Sequence, residues 1–227
     1  MSSNQFRLAI FIEGAFFVKI NTYYRYHHRV KSNMTFNGLF DFLCEEVAFL
    51  EEVPSKFCKM VESHWYRGRF STQQLEKKVT DPAQRFKQMV NERKLDDLFM
   101  YQGITQHHYP VQYNPKTGQM GDAIVSMYLT VDALSMAALD KFDGVVLLAG
   151  DSSYLPLLKK INSLGKKVIV PVWNFEFENE TDSGIIRNVT RTSQALIDEC
   201  TYPIAMSDFV DLDTEDNEKF RKMIFRV

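Results

Sequence analysis

The sequence predicts an α/β chain in three layers, doubly wound, with helices on both faces of a central, mostly parallel five-stranded sheet. Three observations predict it. Short continuous apolar runs that stop at glycine or an acidic residue recur along the chain, as in strands buried on both faces. Helical patterns separate these runs, and that alternation implies parallel pairing. The size, 227 residues of which 45% are hydrophobic and 25% charged, suits one core with embellishments, so residues 1–227 read as a single domain.

Taken in order, Arg7–Ile12 (RLAIFI), closed by Glu13-Gly14, is the first strand. Met60–Tyr66 and Ile104–Val111 are weaker strands. Val145–Ala149, closed by Gly150-Asp151, repeats the form of the first, and Lys166–Trp173 follows Leu164-Gly165, where glycine stops a helix. Phe36–Glu51 has apolar residues at helical spacing behind Asn37 as N-cap. Asp81-Pro82 opens a helix that Gly103 closes, since a capping Asp followed by Pro in the first turn is a start signal. Asp122–Leu139 is apolar nearly all round, hence expected to be sandwiched in the interior. Ser153–Ser163 is helical, with Pro156 tolerated in its first turn. Asn174–Asn188 is polar, acidic and without period, and is read as a loop insertion within about residues 174–190.

Composition narrows the function. No apolar stretch reaches the length of a membrane span, and the N-terminus has no basic segment or cleavage site of an export signal, so a cytoplasmic protein is expected. Cys44, Cys58 and Cys200 match no disulfide framework or zinc spacing. With a net charge of −2, any polyanion has to be held by a local patch.

Ligands of such sheets gather at the carboxyl ends of the strands, where strand order reverses. Glu13 and Asp151 each follow a buried strand, so the fold brings two carboxylates to one rim, where a hard divalent cation such as Mg2+ or Mn2+ relieves their repulsion. Asp122 opens the long helix, Ser126 lies one turn on, and Ser153 stands two residues past Asp151. Asp122 and Ser153 are each equally readable as a helix cap, whereas a carboxylate closing a buried strand asks for a partner. Tyr23, Tyr24, Arg25, Tyr26, Arg29 and Lys31 interleave aromatic and basic side chains, and Arg67 and Arg69 repeat the theme; stacking faces beside cations suit a single-stranded nucleic acid. The alternative is a packed aromatic face with solvated charges, and core placement is expected for Trp65. His27-His28 and His107-His108 are adjacent pairs whose members point apart on a strand, so neither makes a chelate.

FIEGAFF at 11–17, VDALSMAALDKFDGVVLLAGDSSYLPLLKKINSLGKKVIV at 131–170, SDFVDL at 207–212 and, more weakly, WYRG at 65–68 together resemble the NYN domain, a LabA-like branch of the PIN-like nuclease superfamily. The resemblance implies a magnesium-dependent ribonuclease site built from acidic residues. Asp151 matches the first Asp of the family's Gly-Asp-Ser-Asp element, and Ser153 replaces the second. Glu13 stands for the Asp of an Asp-Gly-x-Asn element whose Asn position holds Phe16. The helix carboxylate is Asp122, or Asp132 where the alignment is ungapped and Ser126 fills the first position. The expectation is a metal-dependent endoribonuclease with Glu13, Asp122 and Asp151 as ligands. The alternative is a catalytically silent module that binds RNA or a protein. A homo-oligomer is left open, and an α/β phosphatase is disfavoured because the first strand lacks an Asp-x-Asp pair.

Overall fold

The structure, a computed structural model, describes residues 5–114, 119–121, 124–181, 184–212 and 214–225. The first half runs β1 (Phe6–Glu13), α1 (Gly14–Tyr26), α2 (Phe36–Leu50), β2 (Cys58–Arg69), α3 (Thr72–Lys78), α4 (Pro82–Gln102) and β3 (Thr105–Pro110). A short pair β4 (Gln112–Asn114) and β5 (Gln119–Gly121) leads to α5 (Ile124–Ala138), β6 (Gly144–Leu148), α6 (Leu155–Ser163) and β7 (Lys167–Val172). There follow β8 (Asn174–Thr181), β9 (Gly184–Arg191), α7 (Gln194–Glu199), β10 (Tyr202–Ala205), α8 (Met206–Val210) and α9 (Glu215–Ile224).

The main sheet has six parallel strands in the order β10-β7-β6-β1-β2-β3. It exceeds the expected five by β10, whose four residues include Pro203. Pro203 has no N–H to give to a second neighbour, and the strand sits at the edge, where one flank needs none. Strand order runs one way from β1 to β2 and β3 and the other way from β6 outward, so the reversal falls between β1 and β6.

Side-chain alternation on β1 divides the core. Leu8, Ile10 and Ile12 join α1, α2, α8, α9 and the end of α4 on one face; Ala9 and Phe11 join α5, α6 and α7 on the other. The sequence reading holds for the five expected strands and for the helix opened at Asp81, whose carboxylate accepts from the Ala83 N–H and whose end meets Gly103 at φ 67°. Four expectations change. Thr35, not Asn37, caps α2, accepting from the Gly38 N–H at 3.2 Å. α5 is not enclosed all round: Val125, Leu129, Ala133 and Ala137 are buried, but Met127 and Val131 are exposed. The segment read as a loop at 174–190 is an antiparallel hairpin, β8 with β9. Tyr23–Tyr26, read only as part of a stacking patch, form the last turn of α1 (Gly14–Tyr26).

Candidate functional site

β1 and β6 pair up to Ile12 and Leu148, so the residues that follow, Glu13 and Gly150-Asp151, emerge side by side at the switch point. Both line one cleft of about 250 Å³, together with Phe16 and Lys19 of α1 and Thr190 and Arg191 of β9. The expectation that two carboxylates distant in sequence share one rim is met in this cleft.

The two acids are used differently. Asp151 accepts from the Ser153 N–H at 2.8 Å, closing the turn of 3-10 helix before α6, and the Ser153 hydroxyl donates to it as well. Those donors hold the Asp151 carboxyl below the usual carboxylate range, so the exposed group is ionised at neutral pH. Glu13 stands at the N-cap position of α1, but its side chain makes no capping hydrogen bond, so capping does not account for it.

Phe16 explains the glycine of the Gly-Asp-Ser element. Its ring lies against Gly150 so closely that a Cβ there would come within 2.4 Å of Cε2, and its other side meets Trp173 edge-on at 6.1 Å. The residue standing in the family's Asn position is therefore a floor for the cleft and brings no polar atom to it. Gly14 is constrained likewise, since a Cβ would meet the Trp65 ring at 2.6 Å; Trp65 is buried, as expected.

Of the helix residues, Asp122 lies outside the described residues. Ser126 is half-buried on α5. Asp132 accepts from the Tyr66 hydroxyl at 2.9 Å and lies 3.8 Å from His107 Nδ1. Tyr66 is the register partner of Glu13, so Asp132 packs on the face of the sheet beneath the rim. Sequence reasoning missed the pairing across strands of His64 Nδ1 with His107 Nε2 at 3.1 Å, because register decides it. Among the described residues, no three His, Cys, Asp or Glu side chains converge to hold a metal ion.

The aromatic-basic stretch divides. The Tyr23 ring stacks on Phe175 at 4.0 Å, and Tyr24 is buried against Phe225. Arg25 and Tyr26 are exposed, the guanidinium 4.9 Å above the ring. Arg29 donates to the Asp211 carbonyl at 2.6 Å, and Lys31 donates to the Tyr26 carbonyl at 2.6 Å. Arg69 is held by Glu92 at 3.1 Å and Asp96 at 2.9 Å, while Arg67 lines an open groove against α4. Tyr23, Tyr24 and Arg69 thus spend their sticking surfaces on the protein itself.

Lys19, Thr190 and Arg191 were not foreseen. A signal existed for the last two: Phe175 and Phe177 alternate with Glu176 and Glu178, the period of a strand, in the stretch taken as patternless.

The family model described as NYN domain matches residues 7–207. Among solved structures, a protein of unknown function from Vibrio parahaemolyticus superposes with a TM-score of 0.50 at 20% identity, over 92% of this chain and 97% of that one; at that identity it speaks for the fold alone. No curated protein matches. No described helix is long and apolar enough to cross a membrane.

Proposed function

We propose, from the premise that the chain belongs to the NYN domain family and so to the PIN-like nucleases, that it hydrolyses phosphodiester bonds of single-stranded RNA with Mg2+ or Mn2+ in the Glu13–Asp151 cleft. The observation that carries the reading is the meeting of these two carboxylates at the strand-order reversal. Two carboxylates suit magnesium, which keeps several waters and is commonly held by one or two acids together with substrate phosphates. A bound divalent ion supplies Lewis-acid polarisation of the phosphoryl oxygen and eases deprotonation of the attacking water. Asp151 brings one carboxylate, whose direction the Ser153 N–H fixes. Glu13 brings the second carboxylate on a longer arm than aspartate. Asp122 is the sequence's candidate for a third donor. Metal binding without RNA is expected to be weak, because two carboxylates alone would leave most positions around an ion to water or substrate oxygens.

Labelled single-stranded RNA incubated with Mn2+ or Mg2+ tests this. Asp151→Asn should lower the cleavage rate at least about 100-fold. A second reading, a silent module that binds RNA without cutting it, is favoured by Phe16 and by the cations Lys19 and Arg191 beside the acids. It predicts RNA binding with no metal-dependent cleavage, unchanged in Asp151→Asn.

A further inference from the structure

We infer that the β8–β9 hairpin is a wall of the cleft whose Arg191, with Lys19 opposite on α1, forms a phosphate-binding subsite for the strand lying across Glu13 and Asp151. The inference rests on the proposed cleft and names how its substrate is gripped.

The hairpin is fixed to the cleft at two places. At its base, the Thr192 N–H donates to the Trp173 carbonyl at 2.8 Å, the Trp173 N–H donates to Thr192 Oγ1 at 3.1 Å, and the Ser193 N–H donates to the Gly150 carbonyl at 2.9 Å. The peptide that ends β9 is thereby tied to the peptide that presents Asp151. Along its length, Phe175 stacks on Tyr23 at 4.0 Å with an interplanar angle of 9°, and Phe177 stacks on His27 at 4.0 Å. These rings anchor β8 to α1, the helix that carries Glu13 at its start and Lys19 nearly two turns further on. Arg191 therefore meets the cleft from a seated strand, not from a loose loop.

Charge points to the ligand. Lys19 and Arg191 are exposed, line the cleft, and form no ion pair with another described residue. Two cations flanking two acids match a chain of phosphates, one at the acids and its neighbours at the cations. The guanidinium adds a planar fork that takes phosphate oxygens in pairs. Thr190 faces the same cleft from a buried position, and its neighbour Val189 contributes apolar wall.

The test is binding of a fluorescent single-stranded RNA, without divalent metal, across a salt series. Arg191→Ala and Lys19→Ala should each weaken binding several-fold and flatten the log–log salt slope by about 0.7, the value for one lost phosphate contact on a single strand. Arg191→Lys should restore the slope. Arg187→Ala, whose guanidinium pairs with Glu176 at 2.6 Å, is the hairpin control and should change neither. In cleavage assays Arg191→Ala should raise KM with kcat held, as loss of uniform substrate binding does. Wild-type affinity and slope in Arg191→Ala, with the hairpin still protected from amide exchange, overturn the inference. Asp151-dependent cleavage without an Arg191 effect sinks this subsite alone. An Arg191 effect on binding without Asp151-dependent cleavage sinks the nuclease reading and leaves the subsite. Absence of both cleavage and binding ends both.

Discussion

Gly150 and Phe16 show how one residue can be chosen by another far away in sequence. The Phe16 ring occupies the space a Cβ at 150 would need, so Gly150→Ala forces a shift of ring or backbone and should cost about 1–3 kcal/mol. In a Phe16→Leu background the same change should cost less, with a coupling of at least about 0.5 kcal/mol in denaturant unfolding. Equal costs in the two backgrounds would show that the contact is not the reason for the glycine. The sequence made Asp151 and Glu13 legible, because an acid ending a buried run has to be accounted for. It did not make Lys19 legible, since an exposed lysine on a helix looks like any other until the helix has a neighbour. Nor could it tell Tyr23, whose ring is consumed by Phe175, from Tyr26, which remains exposed.

Among elements, those that announce themselves do so through local chemistry. Asp81, Pro82 and Gly103 bound α4 within its own sequence, and the buried strands are short apolar runs with sharp ends. β8 and β9 were hidden because their alternation is faint and their turn carries no two-residue hairpin signal. β10 was hidden because four residues that include a proline carry no strand period of their own, and only pairing with β7 makes them a strand. The hairpin's dependence on its aromatic anchors is testable. Phe177→Ala removes the stack on His27, worth about 0.5–1.5 kcal/mol beyond buried area. Backbone amides of Gly184–Arg191 should then exchange faster, while those of β1 and β6 keep wild-type protection. Unchanged exchange in the hairpin would mean that its base alone holds it.

For the whole molecule, pH sensitivity follows from the face of the sheet under α5. Burial pushes the His64 and His107 imidazoles below the ordinary 6.5, and His64 is lowered further by the neighbouring His107. His108, on the opposite face against α4, is lowered too, by burial and then by Arg69. Folding therefore favours neutral rings. In the unfolded chain they take up protons as pH drops below 6.5, so the stability they contribute is intact above that value and is lost as pH falls through the folded values. Urea midpoints between about pH 8 and pH 5 should decline on acidification, and His107→Gln should flatten the decline. A flat wild-type profile would rule this out. The parallel sheet carries one further consequence, for synthesis. β1 is paired on one side by β2, some fifty residues away, but on the other by β6, and Arg7 joins Asp143 across 136 positions. A nascent chain emerging N-terminus first thus carries the buried ribbon of β1 with one naked flank until β6 has been made, a window in which holding chaperones, not ribosomal speed, should decide the yield of soluble product.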